Sequence, residues 1–260
     1  MADLESIGAF LVFCAQRQPR FVHPIPQRTP YEQMLIDLED GDAAVLTAFN
    51  WARQAQNAPA QTILAEWRRY AESERASVRE AVGVRHTLAS SPPNAQLEDF
   101  RVHLGGASPE LLEFYGRHDG ASLFADVEDG GSGLFFFPLA EMAAEREGVA
   151  ERLEEPAMET VEDGKLQIYG KPAWLDSAVV FGGFGYAPER LLLPTTGEHR
   201  GKVFLFSHDP LQLVRIGTSF GELLDRLRLQ PVTLLGSYGG NSYQGASAFI
   251  TDGAPQGASD

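Results

Sequence analysis

Five residues near the end of the chain, Gly217-Thr218-Ser219-Phe220-Gly221, carry the G-x-S-x-G spacing of a hydrolase nucleophile elbow. They lie between an expected strand and an expected helix, which is the context such an elbow needs. In that chemistry a histidine takes the proton of the serine hydroxyl as it attacks a carbonyl, and in elbow-type hydrolases the histidine follows the serine in sequence. The six histidines are His23, His86, His103, His118, His199 and His208, and all precede Ser219. The same residues also make a capping box: the Ser219 hydroxyl accepts from the Glu222 amide, and the Glu222 carboxylate returns to the cap amide. Phe220, Leu223, Leu224 and Leu227 then form the apolar stripe of the helix so started. The cap is the preferred reading, and no catalytic residue is assigned.

Other chemistry lacks its residues. There is no H-E-x-x-H, no paired-cysteine motif and no zinc-deaminase signature. Cys14 is the only cysteine, so no internal disulfide forms, and its place in the apolar run Phe10-Leu11-Val12-Phe13-Cys14 points to burial and not to reactivity. Asp126, Glu128 and Asp129 sit in an acidic, glycine-rich turn that a calcium ion could use, but the twelve-residue EF-hand spacing and its terminal glutamate are missing. No metal and no cofactor are expected. Gly182-Gly183-Phe184-Gly185 departs from G-x-G-x-x-G and reads as a tight sheet turn. His118-Asp119 and His208-Asp209 read as turn residues, not proton relays.

Carboxylates are the abundant chemical resource. Residues 141–163 hold Glu141, Glu145, Glu147, Glu151, Glu154, Glu155, Glu159, Glu162 and Asp163 against only Arg146 and Arg152. One reading is a solvated helix face, and the other is a docking surface for a basic partner. The net charge is −15, unevenly spread: residues 1–94 carry 11 acidic and 9 basic side chains, and residues 95–260 carry 25 and 12. Such a chain is a poor ligand for nucleic acid, where phosphate contact needs a basic face. No basic segment precedes the short apolar run at 7–15, which fits neither a secretory signal nor a membrane span, and a cytoplasmic location is expected.

The elements that would position these groups are legible in part. With 260 residues and 43% apolar content, the chain can bury one large or two modest cores. The run at 7–15 is too short to separate strand from helix. Thr29-Pro30-Tyr31-Glu32 opens a helix with a capping box, Asp42 caps a second, and Ile63, Trp67, Tyr70, Val78 and Val82 suggest a longer third. Trp51, Trp67 and Tyr70 read as core aromatics more than as a pocket lining. Ser90-Ser91-Pro92-Pro93-Asn94 marks a boundary, which divides the chain into a mainly helical region at 1–94, a domain at 95–230 and a Gly/Tyr-rich extension at 231–260. Within the second part, helices are expected at 97–102, 109–119 and 138–154. Strands are expected at 122–124, 134–137, 166–169, 178–181, 191–193, 203–206 and in the apolar run after Pro210. Residues 236–243 read as a flexible contact loop and 251–260 as a disordered tail.

From about residue 97 to 229, the order of motifs resembles the SUKH superfamily, of the SMI/KNR type, to which fungal cell-wall-synthesis regulators and many bacterial immunity proteins belong. The matching pieces are Ser-Pro-Glu-Leu-Leu-Glu-Phe-Tyr-Gly-Arg-His-Asp-Gly at 108–120, Phe-Phe-Pro-Leu-Ala-Glu-Met at 136–142 and Val-Val-Phe-Gly-Gly-Phe-Gly at 179–185. Lys-Val-Phe-Leu-Phe-Ser-His-Asp from 202, through the Ser-Phe-Gly-Glu-Leu-Leu helix, completes the series. The resemblance implies an α+β fold whose central, largely antiparallel sheet is flanked by helices, preceded here by the helical N-terminal region. It also implies binding without catalysis. Bacterial relatives commonly bind and block a cognate toxin, often a nuclease, and 18 arginines against 3 lysines suit a GC-rich bacterial source. The expected partner is therefore a basic toxin domain, met by Glu141, Glu145, Glu151, Glu154 and Glu155 with Asp126 and Asp129. A regulatory protein-interaction scaffold is the alternative, and a serine hydrolase using Ser219 a third.

Overall fold

The structure, a computed structural model, describes residues 2–16, 19–22, 29–77, 81–128, 130–162, 164–185, 187–238, 243 and 246–251. The chain divides into two compact units, one made of Met1–Val22 with Val82–Asp260 and the other of His23–Ala81. In chain order, α1 (Ala2–Cys14) and β1 (Arg20–Val22) belong to the larger unit. The smaller unit follows with α2 (Pro30–Glu39), α3 (Ala43–Gln56) and α4 (Ala60–Ser77). The larger unit resumes with β2 (Ala81–Leu88), α5 (Asn94–Leu104), α6 (Pro109–Arg117), β3 (Ala121–Asp126), β4 (Leu134–Phe136), α7 (Met142–Ala150), β5 (Met158–Glu162) and β6 (Lys165–Tyr169). After a 3-10 turn at Leu175–Ser177 come β7 (Val179–Phe184), β8 (Arg190–Leu193), β9 (Val203–His208), β10 (Leu211–Gly217), α8 (Phe220–Leu229), α9 (Pro231–Tyr238) and β11 (Ala248–Ile250).

In the smaller unit, local chemistry sets the helix starts. The Thr29 hydroxyl accepts from Glu32 N at 3.4 Å and Glu32 Oε2 accepts from Thr29 N at 2.8 Å, which completes the expected box. Asp42 Oδ1 accepts from Ala44 N and Val45 N at 2.9 and 3.0 Å. Phe49, Ile63 and Trp67 form the core, with the Phe49 and Trp67 rings edge to face at 5.4 Å. Trp51 departs from the core expectation: at 71% exposure it faces solvent. Val82, read as the end of the third helix, lies in β2: its spacing of four from Val78 fits a helix, but its alternation with the buried Val84 is the period of a strand.

The larger unit is built on one sheet in the order β11-β1-β2-β3-β4-β7-β8-β9-β10-β6-β5. Every strand pairing with a described register is antiparallel. Its central strands are apolar at successive positions because both faces are covered. Val179, Phe181, Leu191, Leu193, Val203 and Leu205 point into a core shared with α1, α5, α6 and α8, whereas Val180, Leu192, Phe204 and Phe206 point into a second core with Val149, Leu153, Trp174 and Leu175. This is the α+β class expected above. The undecided run at 7–15 lies mostly in α1, which buries Ile7, Phe10 and Phe13 and is tied to α8 by Ser6 Oγ donating to Asp225 Oδ2 at 2.9 Å. The unit that carries residues 95–230 thus also takes in α1, β1 and β2.

Three further segments differ from expectation. The helix expected over 138–154 is limited to α7, and the acidic run continues after Pro156 as the edge strand β5. Gly182 and Gly183 lie within β7, not in a turn; a Cβ on Gly182 would stand 2.5 Å from Phe135 O of the neighbouring strand, so the sheet's close approach requires the glycine. Residues 236–238 close α9, and Tyr243 is buried, its hydroxyl donating to Phe124 O and its ring packing on Phe21 at 5.0 Å. Residues 239–242 of the expected contact loop and 252–260 of the expected tail lie outside the described residues. Among the described residues, no helix is long and apolar enough to cross a membrane.

Candidate partner-binding surface

The acidic segment is held at its start by two hydrogen bonds. The Tyr115 hydroxyl donates to Phe137 O at 2.8 Å, and Leu139 N donates to Asp119 Oδ1 at 2.8 Å, which pins the corner between β4 and α7. Burial and the nearby Asp119 carboxylate push the Tyr115 hydroxyl well above the ordinary tyrosine value, so it stays a donor. Met142, Val149 and Leu153 are buried, which turns the remaining faces of α7 outward. Glu141, Glu147, Glu151, Glu154 and Glu155 are exposed, as are Glu159 and Glu162 on β5. Among the described residues, none of Glu141, Glu147, Glu151, Glu154, Glu155 and Glu162 has an arginine or lysine within ion-pair distance.

The seven residues expected to face a partner do not share one environment. Glu141, Glu151, Glu154 and Glu155 lie together on the exposed segment. Glu145 is half-buried and accepts from Arg190 Nε at 2.5 Å, while the Arg190 guanidinium lies 5.5 Å from the centre of the Phe137 ring, so its charge is locally balanced. Asp126 is a correction. It is 1% exposed and its carboxylate accepts from Glu128 N at 2.9 Å, because it closes the turn after β3 and does not present charge to solvent. Asp129 lies outside the described residues.

Beside α7 runs a groove that no linear motif announces. It has a volume of about 340 Å3, and Phe100, Leu139, Met142 and Val179 supply apolar lining while Asp99, His103 and Arg146 add polar groups. These residues come from α5, the corner before α7, α7 itself and β7, which are brought together only by packing. A cleft of this size accepts a partner side chain of aromatic or branched aliphatic type.

The other chemically suggestive residues have structural partners. Ser219 Oγ accepts from Glu222 N at 3.1 Å as the cap of α8. The Glu222 carboxylate goes one residue further back than expected, accepting from Thr218 N at 2.7 Å and Thr218 Oγ1 at 2.5 Å. Burial works to raise the Glu222 carboxyl, but those two hydrogen bonds, with the Arg226 and Arg215 guanidinium groups, outweigh it and hold the carboxyl below its ordinary value. Among the described residues, no histidine hydrogen-bonds to Ser219: His86 Nδ1 meets Phe124 N, His118 Nδ1 meets Ala89 O, and His208 Nδ1 meets Glu189 Oε1. His199 Nε2 meets Glu159 Oε1 at 3.0 Å. Burial pushes the Cys14 thiol up to about 12 and the His86 imidazole down to about 4, so the first stays protonated and the second neutral at physiological pH.

Comparison with curated proteins found no match. Residues 98–226, from α5 through most of α8, match the SMI1 / KNR4 family (SUKH-1). This span contains the antiparallel sheet from β3 to β10, the α7 corner and the Ser219 cap, in the motif order already noted, and through it the chain belongs to the SMI1 / KNR4 family (SUKH-1).

Proposed function

We propose that the protein is a non-catalytic immunity protein that binds and neutralises a cognate bacterial toxin, a nuclease or another basic toxin domain, in the cytoplasm. Family membership supports a binding role. The observation that carries the reading is the run of exposed carboxylates without an arginine or lysine partner that flanks α7 and continues onto β5. A nuclease presents a cationic cleft to phosphates, so an acidic surface both steers association and competes for the substrate site. The contact centres on Glu141, Glu151, Glu154 and Glu155, with Glu145 at its border, and the groove beside α7 offers an anchor for one apolar side chain.

The test is the combined variant Glu141→Lys, Glu151→Lys, Glu154→Lys and Glu155→Lys, measured against the toxin domain encoded by the neighbouring reading frame. Affinity is expected to fall by about tenfold or more at low salt, chiefly through the association rate, and its salt dependence to flatten. Unchanged affinity with unchanged salt dependence would sink the acidic-surface reading. Tight binding to a cellular protein without toxin activity would favour a regulatory scaffold instead.

A further inference from the structure

We propose that Glu159, Glu198 and His199 form a binding site for a divalent cation of the zinc class. The three residues converge from two segments: Glu159 from the edge strand β5, Glu198 and His199 from the connection between β8 and β9. His199 Nε2 stands 3.0 Å from Glu159 Oε1 and 3.4 Å from Glu198 Oε1, and all three ligand atoms lie within 4.8 Å of one another. On a tetrahedral zinc with bonds of about 2.0–2.2 Å, neighbouring ligand atoms are about 3.4 Å apart, so the imidazole and the carboxylates already stand at near-coordinating separations.

Three observations separate this cluster from an ordinary group of surface acids. The imidazole is fixed: His199 is 5% exposed, with its ring centre 5.5 Å from that of Phe204 and 6.4 Å from that of Trp174, both edge to face. Neither glutamate has an arginine or lysine partner among the described residues, and both address the same ring nitrogen. One N–H serves one acceptor well, whereas an ion accepting the Nε2 lone pair binds both carboxylates and balances their charge. A cavity of about 370 Å3 adjoins the cluster and is also lined by Trp174 and Thr196, which leaves room for a solvent ligand at a fourth position. One imidazole nitrogen with two carboxylate oxygens favours zinc, cobalt or nickel over magnesium or calcium.

Titration calorimetry of the full chain with zinc chloride tests the site, with cobalt absorption as a second readout. One zinc per chain is expected. Glu198→Gln, at a side chain 78% exposed, should weaken binding by about tenfold or more, His199→Ala should abolish it, and Glu141→Gln should leave it unchanged. Where His199→Ala does not fold, the pair Glu159→Gln with Glu198→Gln replaces it and is expected to lose binding. Absence of stoichiometric zinc, or wild-type affinity in Glu198→Gln or in the glutamine pair, overturns the proposal.

Discussion

The stretch 203–229 and the stretch 141–162 each offer chemistry on paper, a nucleophile motif in the first and a run of carboxylates in the second, and the fold treats them in opposite ways. In the first, polar groups turn inward to the protein: Ser219 caps α8, Glu222 holds Thr218, Arg226 reaches Ile216 O and Asp225 accepts from the Ser6 hydroxyl. In the second, most carboxylates face water without a cation beside them. A polar side chain whose bonding capacity is satisfied by nearby backbone is part of the architecture, and one left solvated remains available to a partner.

The contrast predicts graded effects on stability. Leu205→Ala, in a strand buried on both faces, should cost about 2–5 kcal/mol in denaturant titration; a loss below 1 kcal/mol would mean that the central strands are not the core. Ser219→Ala should cost about 0.5–2 kcal/mol, and loss of a hydrolytic activity at unchanged stability would contradict the cap. The Glu222 carboxyl belongs to the same cap and is held below its ordinary value, so its contribution is complete above the unfolded carboxyl range of about 4.3 and is lost as pH falls through the folded value. The Tm difference between the wild type and Glu222→Gln should therefore be constant near neutrality and narrow below about pH 4. Val161→Ala, on β5 at 71% exposure, should stay within about 0.5 kcal/mol. A larger loss would place β5 in a buried contact and weaken the view of 141–162 as open surface.

What could be read in the chain follows the range of the interactions involved. Caps at Thr29, Asp42 and Ser219 were legible because each is made by residues two to three apart. Short continuous apolar runs also marked most strands of the central sheet. Asp126 was misplaced because a buried carboxylate differs from an exposed one only through its tertiary surroundings. β5 carries no strand expectation because glutamate is a poor strand former, and its pairing with β6 overrides that preference. The groove beside α7 and the Glu159–Glu198–His199 cluster combine distant segments, and no local pattern encodes them.

The pairing of β1 with β11 joins Phe21 to Phe249, two strands separated by almost the whole described chain. During synthesis β1 emerges early, yet its ladder partner emerges only after every other strand of the sheet. The helices α2–α4, whose contacts are local, can form while that partner is still untranslated. Closure of the β1–β11 ladder is therefore the late, non-local event in the assembly of the larger unit, and until it happens Phe21 lacks the Tyr243 and Phe249 rings that enclose it.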